Sequence, residues 1–474
     1  RSSGVTERND TPPEWRAIAA ATLAGGAAIG WRAGRGGVLG GLAIAGAAAA
    51  AVSAARMAAA SRNPPLPPSP APVDAAASPP TFTIVIAARD EAAALPRLIA
   101  DIGAQDHRTD DGRPEYELIV IDDRSTDGTP QAALRAASNA GLGDVTRLVR
   151  RNGADLPDGK GAALTAAPPE TYRGDVVVVL DADARVGASF LSTLARYVAA
   201  GAPALTARRR VLDAASSHLA GAQADEQTVD GELQRGRWAL GGASEFRGNG
   251  IVVRRDLLLS VGGWRAEALT EDIDLSSRIA AECGVTVAWA IDAEVWEEPV
   301  RTWPDLWRQR VRWAEGAVRR ALEHGPAVLR SDRLSTTAKA DFAVYAAQLA
   351  APPVIAGALA RGAVAGRWRV GALLLAAYAA TAAALGFDAL RWEHTVDGSP
   401  LSTGERAGRA ARLAAFGVVW LAAVPAALWR LASRRGAMTY HKMAHDGGGE
   451  PIATAGGASA ASRSGAGSAA ALPR

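Results

Sequence analysis

The stretch Asp175–Asp183, which reads DVVVVLDAD, decides the fold of this 474-residue chain. Its unbroken apolar run, with acids on both sides, predicts a strand of a parallel sheet that is covered on both faces. Two further strands are predicted earlier in the chain, at Thr83–Ile86 and Glu117–Ile121, with a helical pattern between them. This order of strand, helix and strand predicts an α/β domain built on a parallel sheet.

Charged side chains directly follow each of these three strands. Because open parallel sheets bind ligands beyond the carboxyl ends of their strands, these side chains are candidates for a site. Asp181 and Asp183 could together hold a hard cation, Mg²⁺ or Mn²⁺, that also binds phosphate oxygens. Asp122 and Asp123 could bind the base and ribose of a nucleotide. Both pairs could instead be solvated turn residues.

Three later segments carry further candidates. Lys160 lies between two glycines, where it could contact a diphosphate or be a solvated turn residue. Thr270 is placed to cap a helix whose first turn holds Glu271 and Asp272. The alternative is that Asp272 acts as a general base toward an acceptor hydroxyl. The glycines of the loop Phe246–Gly250 would let backbone approach a sugar.

An arginine- and tryptophan-rich helix is predicted around Gln309–Trp313. Its spacing is typical of an amphipathic helix at a membrane interface, with tryptophans at the level of the headgroups. A functional interpretation adds an indole platform for a sugar ring and an arginine that neutralises a diphosphate leaving group.

Composition excludes several classes of protein. Lys and Arg number 52 against 49 Asp and Glu, so nothing indicates a nucleic-acid partner. Cys283 is the only cysteine, which excludes an intrachain disulfide framework and a cysteine-rich zinc site, and fits a domain in the reducing cytosol.

Long Ala/Gly/Leu runs on both sides of the α/β domain predict membrane helices. The first run could alternatively belong to a signal peptide. Pro352 and Pro353 could place the segment that contains them along the interface instead of across the bilayer. We expect a cytosolic N-terminal segment at 1–14, a two-helix transmembrane hairpin at 15–60, a proline-rich linker at 61–80, the catalytic domain at 81–300, amphipathic interfacial helices at 301–335, two or three transmembrane helices at 341–432 and a disordered tail at 433–474.

Four motifs in order give the chain a family resemblance: Asp122-Asp123, Asp181-Ala-Asp183, Thr270-Glu-Asp272 and Gln309-Arg-Val-Arg312-Trp313. The series resembles the D, DxD, TED and QxxRW motifs of the inverting, membrane-embedded family-2 glycosyltransferases, among them the cellulose, hyaluronan, chitin and poly-N-acetylglucosamine synthases. The resemblance implies a GT-A domain, a Rossmann-like fold that binds a nucleotide sugar, flanked by transmembrane helices. It also implies Mg²⁺ or Mn²⁺ as cofactor and a UDP-sugar as donor.

The resemblance also implies a role for each candidate residue. Asp272 is the expected base, with Glu271 beside it, and Asp181 and Asp183 are the expected metal ligands. The remaining expected roles are nucleotide binding for Ala88, Asp90, Glu91, Asp122, Asp123 and Lys160, contact with the donor diphosphate for Gln309 and Arg312, and contact with the acceptor for Trp313, Phe246, Gly248 and Asn249.

Three functions are open at this point, and we expect the first, with the second as its alternative. The first is transfer of N-acetylglucosamine or glucose to a growing β-linked polysaccharide, which the complete Gln309–Trp313 motif favours. The second is transfer of a single sugar to a lipid acceptor, which the short C-terminal membrane region favours. A non-catalytic membrane scaffold is opposed by the presence of all the acids. Because nucleotide sugars are cytosolic, we expect a multi-pass plasma-membrane protein whose catalytic domain is cytoplasmic.

Overall fold

A computed structural model describes residues 11–62, 79–153, 156–395 and 397–433 of the chain. The expected disordered tail, most of the proline-rich linker and most of the N-terminal segment lie outside these residues. Within them the α/β domain is built on one sheet of eight strands. The strands are β1 (Phe82–Ala88), β2 (Tyr116–Asp123), β3 (Thr146–Arg151), β4 (Val176–Asp181), β5 (Arg185–Val186), β6 (Ala204–Val211), β7 (Ile251–Arg254) and β8 (Ala288–Glu297).

The sheet has the strand order β3-β2-β1-β4-β7-β6-β8-β5. Strands β1 to β4 form a parallel half, in which β1 lies between β2 and β4. Strand β7 is antiparallel to β4, and β6 is antiparallel to β7, so the sheet is mixed. The three strands predicted from the sequence, β1, β2 and β4, are therefore confirmed and lie in the parallel half. The rest of the sheet contains antiparallel pairs, so the predicted parallel sheet is corrected to a mixed sheet.

The described residues also form fifteen α-helices. Two precede the sheet, seven lie within the α/β domain and six follow it. They are α1 (Pro13–Ala33), α2 (Gly37–Arg62), α3 (Leu95–Gly103), α4 (Thr129–Asn139), α5 (Lys160–Leu164), α6 (Phe190–Ala199), α7 (His218–Ala239), α8 (Arg255–Ser260), α9 (Glu271–Cys283), α10 (Trp303–Arg330), α11 (Thr336–Ala347), α12 (Ala351–Ala365), α13 (Arg369–Ala389), α14 (Thr403–Phe416) and α15 (Val418–Ser433).

Four helical segments are long and apolar enough to cross a membrane: Gly37–Arg62, Thr336–Ala365, Arg369–Trp392 and Thr403–Ser433. Pro352 and Pro353 do not interrupt the second segment, because they lie in the first turn of α12. A proline there leaves out an N–H that would have no intrahelical partner. Helix α1 is not among the four. It packs along α12, where the backbone of Ala27 approaches Gly357.

The α/β domain and the membrane helices are in direct contact through α7 and α2. Gly236 of α7 lies so close to α2 that a Cβ built on it would be 2.0 Å from the carbonyl oxygen of Met57. Near the end of α2, the Ser61 hydroxyl donates a hydrogen bond of 3.0 Å to Glu232 of α7. The sheet therefore has a defined position relative to the membrane helices.

We predict that Gly236→Ala lowers the free energy of unfolding by about 1–3 kcal/mol, because the added methyl group forces α7 away from α2. Thermal unfolding of the purified full-length protein in detergent measures this. Gly187→Ala is the matched control, since a Cβ at Gly187 meets no atom within 4 Å. Equal stability of the two variants would show that the close approach of α7 to α2 is not needed.

Candidate active site

The carboxyl ends of β1, β2 and β4 open into a cavity of about 1180 Å³. This cavity brings together residues that lie far apart in the sequence. Of the candidates predicted from the sequence, those lining it are Ala88, Glu91, Asp123, Lys160, Asp181, Asp183, Gly248, Asn249, Glu271, Asp272, Gln309, Arg312 and Trp313. Asp90, Asp122 and Phe246 are described by the structure but lie outside this lining.

Asp122 and Asp123 differ in their surroundings although they are neighbours in β2. Asp123 lines the cavity and accepts hydrogen bonds from Arg124 at 2.9 Å and from Arg151 at 2.7 Å. Asp122 is fully buried, and neither carboxylate oxygen accepts a hydrogen bond from a residue that the structure describes. Its ion-pair partner is Arg150, at 3.5 Å. Asp123 is therefore the member of the pair that a ligand in the cavity can meet.

Asp90 and Glu91, which follow β1, also differ. Asp90 has a positive φ of 51°, and its carboxylate accepts a hydrogen bond of 2.6 Å from the backbone N–H of Thr126. It therefore holds the loop after β2 in place. Glu91 is buried and lines the cavity, while its backbone N–H donates to the Thr129 hydroxyl at 2.8 Å.

Asp181 and Asp183 follow β4 and both line the cavity. Asp183 is buried, and its carboxylate accepts a hydrogen bond of 3.4 Å from the backbone N–H of Glu298. The carboxylate of Asp181 is about one third exposed and forms an ion pair with Lys160. Two carboxylates on the wall of the cavity supply the hard oxygen ligands that Mg²⁺ and Mn²⁺ prefer, so this donor set fits the expected cofactor.

A second cluster of possible metal ligands lies between α9 and α10. Carboxylate oxygens of Asp274 and Glu323 and a ring nitrogen of His324 lie within 4.8 Å of one another. However, Asp274 also accepts a hydrogen bond of 2.9 Å from Arg278, and Glu323 forms an ion pair of 2.6 Å with Arg265. Arginines therefore neutralise these acids, and the cluster joins α9 to α10. None of its three residues lines the cavity.

The Thr270-Glu271-Asp272 segment begins α9 at the wall of the cavity. Thr270 occupies the N-cap position, but its side chain forms no capping hydrogen bond with a described residue. Capping alone therefore does not account for the motif. A Cβ built on Gly248, which has a φ of 71°, would be 3.6 Å from the Asp272 carboxylate. The absence of a side chain at Gly248 leaves the space beside Asp272 open.

The electrostatics of this segment are dominated by burial. Burial raises the pKa of Glu271 to about 7, and Lys160, whose Nζ is 3.5 Å from a Glu271 oxygen, only partly opposes this effect. Burial also raises the pKa of Asp272. For Lys160, burial lowers the pKa, but the Asp181 and Glu271 carboxylates outweigh it and the net shift is upward. The lysine therefore stays charged beside Glu271, whose proton affinity is increased.

The Phe246–Gly250 loop supports the acidic residues from behind. The Asn249 side chain is buried, and its carbonyl oxygen accepts a hydrogen bond of 3.1 Å from the backbone N–H of Asp181. The carbonyl of Gly248 accepts a hydrogen bond of 2.8 Å from Lys160. Phe246 is fully buried in the core below the sheet. Its side chain is therefore not placed to touch an acceptor, contrary to the expectation from the sequence.

Trp313 of α10 lies between two arginines. The Arg310 guanidinium is 4.2 Å from the centre of its ring, and the Arg209 guanidinium is 5.5 Å from it. Gln309 accepts a hydrogen bond from Arg310. Arg209 lines the cavity and pairs with Glu297, although the sequence does not single it out. Strand β6 contains three consecutive arginines, so no apolar pattern in the sequence marks it as a strand or singles out Arg209.

Away from the carboxylates, the same cavity continues between the membrane helices. Along α2 its lining extends from Ala43 to Met57, which is about 21 Å of helix. The side chains of this part are mostly small or apolar. They include Ala47, Ala50 and Ala54 of α2, Ile355 of α12, Leu374, Ala377 and Leu385 of α13, and Val424 of α15. The hydroxyls of Tyr378 and Thr381, which also line it, donate hydrogen bonds to the backbone carbonyls of Gly417 and Ala377.

Curated relatives include membrane-lipid and polysaccharide synthases. β-Monoglucosyldiacylglycerol synthase of Trichormus variabilis is 30% identical over 271 residues, which cover 56% of this chain and 55% of the relative. The synthase of the same name from Synechocystis is 37% identical over 177 residues, or 37% of this chain and 36% of that protein. Poly-β-1,6-N-acetyl-D-glucosamine synthase of Staphylococcus aureus is 29% identical over 115 residues, covering 24% and 26%. The chain thus spans about half the length of the Trichormus synthase and 36% of the Synechocystis synthase.

Among solved structures, the mannosyltransferase PcManGT from Pyrobaculum calidifontis, in complex with GDP-Man and Mn²⁺, has a similar fold. The match has a TM-score of 0.53 at 22% identity and covers 86% of this chain and 99% of the other. It identifies the fold as a GT-A fold with attached helices.

The family model described as glycosyltransferase like family 2 matches residues 79–316, just over half of the chain. The matched region contains the sheet, the carboxylates that line the cavity and the Gln309–Trp313 motif. The chain therefore belongs to glycosyltransferase family 2.

Proposed function

We propose that this protein is a membrane glycosyltransferase that moves one hexosyl group from a nucleoside diphosphate sugar to a hydroxyl group of a lipid, with inversion at the anomeric carbon. The observation that carries the proposal is the continuous cavity. One end holds the acids and cations of the site, and the other end runs between apolar membrane helices.

The lining of the membrane part fits a hydrocarbon chain. Ala50, Leu374 and Leu385 present no charge and no hydrogen-bonding side chain to the cavity. Sugar hydroxyls placed there would lose their hydrogen bonds to water without replacement, which is costly. Acyl chains lose nothing by moving there from the bilayer. The names of the two monoglucosyldiacylglycerol synthases, which refer to a glycosylated diacylglycerol, agree with a lipid acceptor.

Polar groups at the junction would hold the lipid headgroup. Arg247 donates hydrogen bonds to Asp230 at 2.7 Å and to the Tyr345 hydroxyl at 2.9 Å, and all three side chains line the cavity. They lie where the acidic end of the cavity meets its apolar part. A lipid with its chains between the helices would direct its hydroxyl group toward Asp272.

The chemistry follows from the placement of Asp272. In the deprotonated form its carboxylate would accept the proton of the acceptor hydroxyl as that oxygen attacks the anomeric carbon. The bond from the anomeric carbon to the diphosphate breaks in the same displacement, so the configuration inverts and no enzyme nucleophile is needed. Lys160, with Arg312 and Gln309 on the opposite wall, would receive the negative charge of the departing diphosphate.

Asp181 and Asp183 would hold Mg²⁺ or Mn²⁺ together with the donor diphosphate. A bound divalent cation supplies charge neutralisation for the leaving group. Lys160 now neutralises Asp181, so the lysine and the cation would share these acids with the phosphates. Asp123 and Glu91 would contact the nucleoside, which we expect to be uridine.

Polymer synthesis is the second candidate. It is favoured by the complete Gln309-Arg-Val-Arg312-Trp313 motif on the wall of the cavity, and Trp313 would then bind the end of a growing saccharide. The poly-β-1,6-N-acetyl-D-glucosamine synthase shares a shorter part of the chain than the lipid glucosyltransferases. Under either candidate the donor is cytosolic, which would place the α/β domain on the cytoplasmic face of the plasma membrane.

We predict that Ala50→Phe raises the apparent KM for a diacylglycerol acceptor by roughly tenfold, because the ring occupies space needed by an acyl chain. Initial rates in mixed micelles measure this, and UDP affinity should stay unchanged. Ala49→Phe is the matched control, since Ala49 is exposed on the same helix but does not line the cavity. Equal effects of the two substitutions would argue against acceptor chains in the cavity.

We predict that Asp183→Ala weakens Mn²⁺-dependent binding of UDP by at least about tenfold, because the cation loses a ligand. Isothermal titration calorimetry with and without Mn²⁺ measures this without any turnover. Glu323→Gln changes the other acid cluster and should leave the metal dependence as in the wild type. The opposite pattern would place the cation between α9 and α10.

We predict that transferase activity falls toward acidic pH, because Asp272 must be deprotonated to act as a base and burial raises its pKa, as it raises the pKa of the adjacent Glu271 to about 7. Glu271→Gln removes a negative neighbour, so the midpoint of the acidic limb should move to lower pH. Asp272→Asn should instead lower the rate by about 10²–10⁴ at pH values where Asp272 is deprotonated in the wild type, and should remove the acidic limb. An unchanged midpoint in Glu271→Gln would contradict the coupling of the two acids.

A further inference from the structure

A group of arginines lies at the end of the membrane helices that is remote from the α/β domain. Helix α2 contacts Glu232 of α7 through Ser61, which lies near the carboxyl-terminal end of α2. Its beginning at Gly37 is therefore about 36 Å away along the helix axis, slightly more than the hydrocarbon thickness of a bilayer of about 30 Å. The turn between α1 and α2 and the turn between α12 and α13 meet at this end.

Close contacts bring these two turns together. A Cβ built on Gly34 would be 2.9 Å from the side chain of Arg361, and one built on Gly40 would be 3.4 Å from the side chain of Val370. The Arg361 guanidinium lies 5.1 Å from the centre of the Trp31 ring. We name this group the distal arginine cluster, and its members are Arg32, Arg35, Arg361, Arg367 and Arg369.

The distal arginine cluster has no compensating negative charge nearby in the chain. Residues 15–62 and 342–387 contain no aspartate or glutamate at all. Among the described residues, none of the five arginines forms an ion pair, whereas most arginines of the α/β domain do. The Arg361 Nε is enclosed and donates no hydrogen bond to a described residue. The charges that act on Arg361 are those of Arg35 and Arg367, which have the same sign.

Orientation in the membrane does not explain these arginines. Basic residues flanking membrane helices favour the cytoplasmic side. If the α/β domain uses a cytosolic donor, which rests on the proposed function, the distal arginine cluster faces the opposite leaflet and works against that bias. Trp31 and Trp368 flank the cluster, and tryptophan at a helix end is typical of the headgroup layer. A negatively charged component of that layer would balance the excess charge.

We propose that the distal arginine cluster binds the phosphate groups of anionic phospholipids in the leaflet opposite the α/β domain. Arg32, Arg35, Arg367 and Arg369 are exposed and present their guanidinium groups to the lipid headgroups. Arg361 is held against Trp31 and lies deeper. A guanidinium group forms paired hydrogen bonds with phosphate oxygens, so several of them around one site retain an anionic lipid more tightly than a zwitterionic one.

The experiment uses the full chain purified in detergent with a mixture of phosphatidylglycerol and phosphatidylcholine. Native mass spectrometry then counts the lipids retained as detergent is removed. The test variant carries Arg32→Gln, Arg35→Gln, Arg367→Gln and Arg369→Gln, all at exposed positions, so that Arg361 and the packing of the helices are kept. The control variant removes four exposed arginines of the α/β domain: Arg113→Gln, Arg135→Gln, Arg173→Gln and Arg196→Gln.

We expect the wild type and the control to retain phosphatidylglycerol in preference to phosphatidylcholine, and the test variant to lose at least about tenfold in affinity for phosphatidylglycerol. Equal retention of the two lipids by the wild type would overturn the proposal. An equal loss in the control variant would also overturn it, since only the total charge would then matter. UDP binding, measured on the same samples, reports separately on the proposed function, so a failure of one is distinguishable from a failure of the other.

Discussion

The site depends on placing several like charges in one cavity. Glu271, Asp272, Asp181 and Asp183 come together at one edge of the sheet, and Lys160 is the cation between two of them. Burial raises the proton affinity of Glu271 and Asp272, so this arrangement has an energetic cost without further positive charge. A divalent cation bound together with the donor diphosphate would offset that cost, and this would link donor binding to readiness of the base.

A second constraint is the rigid connection between sheet and membrane. Arg409 and Arg412 of α14 both pair with the fully buried Asp225 of α7, and Arg391 pairs with Glu232 on the same helix. Removal of one partner from a buried pair leaves an uncompensated charge, which is strongly destabilising. Helix α7 is therefore fixed to α14 and to the end of α13. Because of this connection, the acidic part of the cavity in the α/β domain keeps a fixed position relative to the apolar part between the membrane helices.

The sequence predicts those strands that an unbroken apolar pattern marks. The apolar runs of β1, β2 and β4 are recognisable because both faces of these strands are buried. Of the acids at their ends, Glu91, Asp123, Asp181 and Asp183 line the cavity, whereas Asp90 and Asp122 do not. Strand β6 is missed because Arg208, Arg209 and Arg210 satisfy their charges through partners distant in sequence, such as Glu393 and Glu297. The core position of Phe246 and the role of Arg209 beside Trp313 likewise depend on tertiary contacts that no local pattern encodes.

In the proposed function, one cavity delivers a lipid hydroxyl to Asp272 at the beginning of α9. Membranes containing the protein, incubated with radiolabelled UDP-glucose or UDP-N-acetylglucosamine and Mn²⁺, test it most directly when the products are partitioned between organic solvent and water and then sized. We expect label in the organic phase, with one β-linked sugar on each lipid. Water-soluble label of high and variable mass would contradict it and establish a polymerase.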